Sequence, residues 1–238
     1  RQKEMSIAFL NDNFLPLEQA KISPLDRGFL FGDGIYEVVP SYHGKLLGFN
    51  AHLDRMRTGL EGINLQLGWS HEKWKSVCDE LCSQNGNGNL GLYLQVSRGA
   101  DIKRYHAFPE NVKPTVFCFA FEIGASPSSD KDSAKTFSVS TAEDLRWQRC
   151  HIKSTALLGN VLHFQYGHEN GDDETILYND RHELTEAAAC NVFIVKNRVI
   201  STPPLDNQLL PGITRNLLID ILKKHSNLDI QELSLIHI

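Results

Sequence analysis

The chain has 238 residues, of which 41% are hydrophobic and 22% are charged, and its formal net charge is -5. This length is sufficient for one large domain or two small ones, each with a proper core. Lysines and arginines are scattered rather than clustered, which argues against a nucleic-acid-binding protein. We find no apolar stretch of about 18 residues, so we expect no membrane span.

The five cysteines form no CxxC pair and indicate no disulfide framework. Cys78 and Cys82 share the apolar stripe of a predicted helix, and Cys118 lies in the strand-like run TVFCFAF. Unpaired core thiols are typical of a reducing compartment, so we expect a cytoplasmic protein. The sequence predicts no metal site.

Both ends carry segments that we expect to be foreign. RQKE precedes Met5, which begins a strand-like run, so we expect the natural start at Met5. The last six residues, LSLIHI, back-translate to the transposase end that serves as an adaptor in sequencing libraries. We therefore expect the authentic protein to continue past Glu232 and this chain to be truncated at its C-terminus.

Residues 5–121 alternate strand-like and helix-like segments, which predicts an N-terminal α/β lobe. Two hairpins are predicted, turning at Asn11, Asp12 and Asn13 and at His43 and Gly44. Asn50 is the predicted cap of a helix that turns four apolar residues inward: Leu53, Met56, Leu60 and Ile63. A second helix begins at Ser70 and ends before SQNGNGN, and the strands LGLYLQVSRG and KPTVFCFAF follow.

Residues 122–135, EIGASPSSDKDSAK, are the clearest change of composition and predict an interdomain linker. Residues 136–238 then form a C-terminal lobe with a helix around 157–169, a strand pair in NVFIVKNRVIS and a final helix that begins at Thr214. The expected fold class is therefore a mixed α/β (α+β) chain in two lobes.

Several polar residues stand in settings that favour chemistry. The glycines of FGDGIYEVV allow a close backbone approach, with Tyr36 just inside the following strand. Arg55 lies at the edge of an apolar helix face, where it could bind an anion such as phosphate, although a surface-reaching arginine is the simpler interpretation. In RGADIKRYHAFPEN, Arg104 and His106 are two residues apart and can converge on one carboxylate.

Two more candidates lie in the C-terminal half. Glu186 precedes four small residues in ELTEAAACNVF, so it is poorly solvated and needs a cationic or N–H partner. In LLPGITRNLL, Ile213 and Thr214 begin a helix whose first N–H groups can bind a phosphate, although an ordinary threonine cap is also possible.

Lys153, in RWQRCHIKSTALLGN, would by itself be interpreted as a surface lysine at a strand end. Together with a buried carboxylate, an arginine, a tyrosine and a phosphate-type helix start, it completes the set that a pyridoxal phosphate site requires. A lysine binds the cofactor covalently, a carboxylate holds the ring nitrogen protonated and the helix start binds the phosphate.

The order of these motifs resembles that of the class IV aminotransferases, the fold-type IV pyridoxal phosphate enzymes, and within them the D-amino acid aminotransferases. The stretches that carry the resemblance are DRGFLFGDGIYEVV, HLDRM, QVSRGADIKRYHAFPENVKP, EDLRWQRCHIKSTALLGNVL, LTEAAACNVF and LPGITRNLL, which span residues 26–218. The resemblance implies a smaller N-terminal lobe, a larger C-terminal lobe with a barrel-like sheet, and a homodimer with amino acid and 2-oxo acid substrates.

The resemblance also implies residue roles. Lys153 matches the Schiff-base lysine, Glu186 the carboxylate on the pyridine nitrogen and Arg55 the phosphate-binding arginine. Ile213 and Thr214 match the phosphate cradle, and Tyr36 matches a tyrosine near cofactor and substrate. Arg104 and His106 match the pair that binds the substrate carboxylate and comes from the neighbouring subunit.

The resemblance therefore implies transfer of an amino group from a D-amino acid, such as D-alanine, to a 2-oxo acid such as 2-oxoglutarate. A branched-chain L-amino acid aminotransferase, an aminodeoxychorismate lyase and a truncated non-catalytic fragment remain alternatives. The family's serine-rich run after the glutamate is here Ala187, Ala188, Ala189 and Cys190, so hydroxyls that would bind the cofactor are absent.

Overall fold

The computed structural model describes residues 6–235, and its contacts divide the chain into two units. Unit 1 comprises Arg1–Ser129 with Lys153–Ala156, and unit 2 comprises Asp130–Ile152 with Leu157–Ile238. The expected start at Met5 and the last three residues of LSLIHI lie outside the described residues. The predicted lobe bounds, 5–121 and 136–238 with a linker at 122–135, stay a prediction.

Unit 1 is built on a six-stranded antiparallel sheet with the strand order β2-β1-β6-β5-β3-β4. Its strands are β1 (Ile7–Leu10), β2 (Asn13–Pro16), β3 (Gly34–Tyr42), β4 (Lys45–Leu46), β5 (Asn89–Ser97) and β6 (Thr115–Glu122). Its helices are α1 (Arg27–Phe31), α2 (Phe49–Gly62) and α3 (His71–Gln84), with a short 3-10 turn at Leu17–Gln19. Both predicted hairpins, β1-β2 and β3-β4, are confirmed.

The core of unit 1 lies between this sheet and the helices α2 and α3. Alternate residues of β3 are buried, as the period of two in a strand requires, and Ile35 and Val39 are fully enclosed. Burial of each such side chain stabilises the fold by about 1.5–3 kcal/mol. Cys78, Cys82 and Cys118 are buried free thiols, which confirms their assignment as core residues.

The predicted cap of α2 is wrong by two residues. Gly48, not Asn50, precedes the helix; it has a left-handed backbone with φ of 63°, and its carbonyl accepts the first helical hydrogen bond from the His52 amide. Leu53, Met56 and Leu60 are buried as predicted, whereas Ile63 follows the last turn and is only half-buried. The second helix is capped by Ser70 as predicted, because the Ser70 hydroxyl accepts from the Lys73 amide.

Unit 2 carries two three-stranded sheets, with the orders β7-β8-β9 and β10-β11-β12. The strands are β7 (Val139–Glu143), β8 (Glu174–Tyr178), β9 (Leu184–Ala187), β10 (Ile194–Lys196), β11 (Val199–Thr202) and β12 (Asp229–Glu232). The helices are α4 (Leu158–Glu169) and α5 (Ile213–His225), and a 3-10 turn lies at Lys131–Ser133. Residues 188–193 leave strand geometry, so the expected barrel-like sheet is divided here into two parts.

Within unit 2, α4 connects the parallel strands β7 and β8 and packs on both. A parallel pair requires such a crossover, because a tight turn reverses the chain direction. Helix α5 likewise precedes β12, which pairs in parallel with β11. The predicted helices around 157–169 and at Thr214 are therefore confirmed to within a residue at their starts. The strand pair in NVFIVKNRVIS is confirmed as β10 and β11, although its first strand begins only at Ile194.

Candidate active site

Lys153 is held by the backbone of a short segment, Lys153–Ala156, that pairs with the start of β3. The Tyr36 amide donates to the Lys153 carbonyl and the Thr155 amide donates to the Gly34 carbonyl, each at 3.0 Å. Gly32 has φ of 65°, and a Cβ at this position would lie 2.8 Å from Ala156. Only glycine therefore allows this close approach, and the lysine is fixed by main-chain hydrogen bonds rather than standing at a free strand end.

The side chain of Lys153 lies against the ring of Tyr36. Lys153 Nζ donates to Tyr36 Oη at 3.2 Å and lies 4.3 Å from the ring centroid, and the ring stacks on Tyr93 at 5.5 Å. Burial, with a smaller contribution from the charge of Glu37, raises the pKa of Tyr36, and burial raises the pKa of Tyr93 to about 12. Both phenols are therefore neutral near pH 7, and the lysine amine has a neutral hydroxyl partner.

Arg55 projects from α2 towards the opposite, helix-covered face of β3. Its Nε and Nη2 each donate to the carboxylate of Glu37 at 2.7 Å, and His52 Nδ1 lies 2.7 Å from the same carboxylate. Glu37 is fully buried. Burial alone would raise the pKa of Glu37, but the hydrogen bonds from Arg55 and His52 outweigh burial and lower it. The carboxylate is therefore ionised and orients the Arg55 guanidinium.

Arg104 and His106 lie on the exposed loop between β5 and β6, and both contact the ring of Phe31. Arg104 Cζ is 5.2 Å from the centroid of this ring, and the His106 ring centroid is 5.3 Å from it. The backbone of the loop is bound by Arg27, which donates to the Tyr105 and His106 carbonyls. The predicted pair is thus brought together around one aromatic ring, with both side chains accessible to a ligand.

Glu186 lies within β9, a fully buried strand of unit 2, and is surrounded by donors. Arg146 Nη1 donates to its Oε1 at 2.6 Å, and the Leu210 amide and the Asn191 side chain donate to its Oε2 at 3.1 and 3.2 Å. This confirms the expectation of a buried carboxylate with cationic and N–H partners. Burial nevertheless raises the pKa of Glu186, an effect that Arg146 opposes.

Arg146 also binds Asp144, through Nε at 2.9 Å and Nη2 at 2.8 Å. Thr185 donates its hydroxyl to the same carboxylate. These hydrogen bonds outweigh burial and lower the pKa of Asp144. One buried guanidinium therefore lies between two carboxylates, only one of which, Glu186, was predicted as a site residue.

Ile213 and Thr214 form the first turn of α5, as predicted. The residue before them, Gly212, provides no side-chain hydrogen bond to the helix start. The N–H groups of the first turn therefore point outward with the positive end of the helix dipole, which is the geometry that binds phosphate. A side chain at Gly212 would overlap the Asn191 amide, so the approach of these two segments requires glycine.

In unit 1, therefore, the side chain of Lys153 contacts Tyr36 of β3, and Arg55 is bound to Glu37 of the same strand. Arg104 and His106 both contact the ring of Phe31. In unit 2, Glu186 and the start of α5 are linked through Asn191, which donates to both Glu186 and the Leu210 carbonyl. The sequence interpretation missed Glu37, Arg27, Asp33 and Arg146. The sequence did offer a way to find Glu37: it alternates with Ile35 and Val39 on the core-facing side of β3, and a charged residue there predicts a buried ion pair.

Among residues 6–235, no cluster of three or more histidine, cysteine or acidic side chains is suited to hold a metal ion. The helices in this part of the chain are too short or too polar to cross a bilayer.

The fold is that of an aminotransferase. Solved structures with a similar fold include the branched-chain aminotransferase of the archaeon Thermoproteus uzoniensis, determined with norvaline. It matches with a TM-score of 0.83 and 21% identity over 98% of this chain and 79% of that one. A putative 4-amino-4-deoxychorismate lyase from Legionella pneumophila has a TM-score of 0.80 and 21% identity over 92% of this chain and 79% of that one. At such identities the likeness establishes the fold alone.

The sequence profile described as amino-transferase class IV matches residues 34–237, so the chain belongs to the class IV aminotransferase family. Its relatives include the D-alanine aminotransferase of Listeria innocua, 37% identical over 91% of this chain and 74% of the relative, and that of Staphylococcus haemolyticus, 39% identical over 90% and 74%. The chain thus spans about three quarters of the length of these relatives.

Proposed function

We propose that this protein transfers the amino group of a D-amino acid, with D-alanine as the first candidate, to a 2-oxo acid such as 2-oxoglutarate, and that its cofactor is pyridoxal 5'-phosphate. The proposal is supported by membership of the class IV family and by relatives named D-alanine aminotransferase. The observation that carries it is the placement of Lys153, whose backbone is fixed on β3 and whose amine contacts a neutral tyrosine.

The donor chemistry of both units fits the proposed cofactor. A primary amine on a fixed backbone, a buried carboxylate and an open helix start are the groups that an aldehyde, a pyridine nitrogen and a phosphate require. These groups are Lys153, Glu186 and the first turn of α5, respectively. When bound, pyridoxal phosphate accepts electron density from the amino-acid Cα and so makes its proton removable.

Each residue of the proposed site then has a stated task. The Lys153 amine moves the proton at the substrate Cα, and the Tyr36 hydroxyl, which accepts from Nζ, orients that amine. Glu186 is the residue that would hold the ring nitrogen of the bound cofactor protonated, and the ion pair with Arg146 favours the ionised carboxylate that this task needs. Arg55, directed by Glu37, would contribute positive charge for a phosphate. The first turn of α5, at Ile213 and Thr214, would offer N–H donors to the same kind of group.

Arg104 and His106 are the proposed binding site of the substrate carboxylate. An exposed arginine and an exposed histidine that contact the same ring offer several N–H donors to a carboxylate. Fixing the carboxylate determines which face of Cα meets the lysine and thereby which hand of amino acid reacts. This pair is the reason for preferring a D-amino acid over the branched-chain L-amino acid alternative.

The first experiment loads the full-length protein with pyridoxal phosphate and records its visible absorbance on addition of D-alanine, L-leucine or aminodeoxychorismate. We expect D-alanine to change the spectrum and to yield pyruvate in the presence of 2-oxoglutarate. The Lys153→Ala variant should lose both responses, and Lys75→Ala, which removes an exposed lysine paired with Asp79, should retain them. A response to L-leucine alone would refute the D-amino acid proposal, and an absence of any cofactor spectrum would favour a non-catalytic protein.

We also propose a homodimer in which Arg104 and His106 serve the site of the neighbouring subunit. The resemblance to the family supports this arrangement, and a cytoplasmic location remains a prediction from the free thiols. Light scattering of the full-length holoenzyme measures the oligomeric state. Coexpression of Lys153→Ala with Arg104→Ala subunits should restore part of the activity if the residues act across subunits; restoration to no more than the sum of the two parents would contradict it.

A further inference from the structure

We propose that Arg27 is a positioning residue for substrate specificity: its guanidinium holds the loop at 101–114 so that Arg104 and His106 face the substrate carboxylate. The inference rests on the proposed function for the identity of the bound group. It concerns a side chain to which neither the sequence interpretation nor the family resemblance assigns a role.

Arg27 is a buried cation whose donors are directed to backbone carbonyls of this loop. Its Nη1 donates to the Tyr105 carbonyl at 2.5 Å and its Nη2 donates to the His106 carbonyl at 3.1 Å. The side chain is only 4% exposed. A guanidinium is suited to this task because its donors are held in one plane with fixed spacing, which a lysine ammonium cannot reproduce.

The loop depends on this contact because it has few others. Its residues Arg104, Tyr105 and His106 are exposed, and the loop has no regular secondary structure. Within the described part of the chain, the two hydrogen bonds from Arg27 are the only ones that reach residues 103–112 from elsewhere. Without them, the peptide units near both proposed carboxylate-binding side chains would lose their hydrogen-bonded connection to α1.

Asp33 fixes the direction of Arg27. It accepts from Arg27 Nε at 2.8 Å and from Arg98 Nε and Nη2 at 2.8 and 3.0 Å. Arg98 in turn lies over the ring of Phe108, 3.6 Å from its centroid, in the middle of the same loop. The aspartate between the two glycines of GDG is therefore bonded to two arginines, each of which contacts the loop.

The ring of Phe31 contacts both the Arg27 guanidinium, which binds the loop backbone, and the side chains of Arg104 and His106. Arg27 lies 4.8 Å from the centroid of the Phe31 ring, on whose surface Arg104 and His106 also rest. Helix α1 places Arg27 and Phe31 one turn apart, so both project towards the loop. Displacement of Arg27 would thus disturb the carbonyls and the ring that together locate Arg104 and His106.

The kinetic test compares Arg27→Gln and Arg27→Lys with the wild-type holoenzyme. We expect Arg27→Gln to raise the KM for D-alanine about tenfold or more while kcat changes less than about threefold, because charge-assisted hydrogen bonds that hold the binding pair are lost. Arg27→Lys should restore only a minor part of the affinity. Asp33 retains Arg98 as a charged partner in both variants, so we expect both to fold and to bind cofactor as the wild type does.

A double-mutant cycle shows whether Arg27 acts through the proposed pair. In a protein that already carries Arg104→Ala and His106→Ala, the substitution Arg27→Gln should cause no further rise in KM. Arg57→Gln is the matched control, since Arg57 is an exposed arginine paired with Asp54, and it should leave KM unchanged. An additive effect of Arg27→Gln in the double-alanine background would overturn the inference.

Hydrogen–deuterium exchange of the holoenzyme gives a readout that does not depend on turnover. We expect Arg27→Gln to accelerate exchange in residues 101–114 while exchange in β3 and β5 stays at the wild-type rate. Unchanged loop exchange together with unchanged KM would overturn the inference. If wild-type protein fails to act on D-alanine but the loop still loosens in Arg27→Gln, the proposed substrate is wrong and the positioning role of Arg27 stands.

Discussion

Arg146 is the side chain on which the buried charges of unit 2 depend, and replacing it with leucine tests this directly. Arg146→Leu leaves the carboxylates of Asp144 and Glu186 in place but removes the guanidinium that both of them contact. Asp144 retains the Thr185 hydroxyl, and Glu186 retains the Leu210 amide. Hydrogen bonds remain, but no side chain in this cluster then supplies the compensating positive charge.

The expected loss of stability is large because the pairs are buried. Arg146 is 3% exposed at its side chain and lies 2.6 Å from Glu186 and 2.8 Å from Asp144. Two unit charges about 4 Å apart attract each other by about 4 kcal/mol at an effective dielectric constant near 20. Removing one member of a buried ion pair costs about 3–5 kcal/mol. We therefore expect the free energy of unfolding of Arg146→Leu at pH 7 to fall by about this amount.

The loss of unfolding free energy in Arg146→Leu relative to the wild type should become smaller as the pH is lowered. In the wild type the pKa of Asp144 is lowered, so its favourable contribution is lost as the pH falls through the folded value. The pKa of Glu186 is raised already and should rise further without Arg146, so this residue destabilises the variant at high pH and ceases to do so once it is protonated. The effect at Glu186 therefore reduces the stability difference between Arg146→Leu and the wild type as the pH falls from 7 to about 4, and the loss of the Asp144 contribution reduces it further only below about pH 4.

Urea unfolding followed by circular dichroism between pH 4 and pH 8 measures the difference in free energy of unfolding between the wild type and Arg146→Leu. Arg181→Leu is the control, since Arg181 forms an exposed pair with Glu183 and its loss should change stability little at either pH. The reasoning is refuted if Arg146→Leu is as stable as the wild type at pH 7, or if its deficit is the same at pH 4 as at pH 7.

Two further predictions concern unit 1. Tyr36→Phe removes the hydroxyl that contacts Lys153 at 3.2 Å but keeps the ring stacked on Tyr93. Proton transfer by a mispositioned amine is slow, so kcat for D-alanine should fall about ten- to a hundredfold in stopped-flow assays. A variant with the wild-type kcat would show that the hydroxyl has no role. Glu37→Gln keeps the size of the side chain but removes the charge that orients Arg55, so the cofactor Kd from fluorescence titration should rise about tenfold. Glu61→Gln, on the exposed side of α2, should leave Kd unchanged, and equal Kd values for the two variants would contradict the role of Glu37.

The helices and hairpins of the fold were predictable because their signals are local. Asn11 and Asp12 adopt the left-handed backbone that a tight hairpin needs, and Ser70 supplies the hydroxyl that caps α3. The start of α2 was not predictable in the same way. Asparagine is a good cap by itself, but Gly48 takes the left-handed conformation that ends the β4 turn and so begins the helix two residues earlier.

The candidate site shows the same division. The residue types and order of Lys153, Glu186, Arg55 and the start of α5 carry the family resemblance, and the burial of Glu186 follows from its small neighbours. The partners of these residues were not accessible to pattern reasoning. Arg146 lies 40 residues before Glu186, and only the packing of their segments in unit 2 brings the two charges to 2.6 Å.

The sequence by itself determined the class of fold, the family and the chemical kinds of side chain that the site contains, since these depend on local periodicity and on the order of motifs along the chain. Tertiary structure alone decided how those side chains are held. Lys153 is fixed because residues far apart in sequence share main-chain hydrogen bonds with β3, and Arg104 and His106 meet at Phe31 because Arg27 binds the loop that carries them. Such contacts join residues that are distant in sequence, so local periodicity, which reports only which face of its own element a residue occupies, does not predict them.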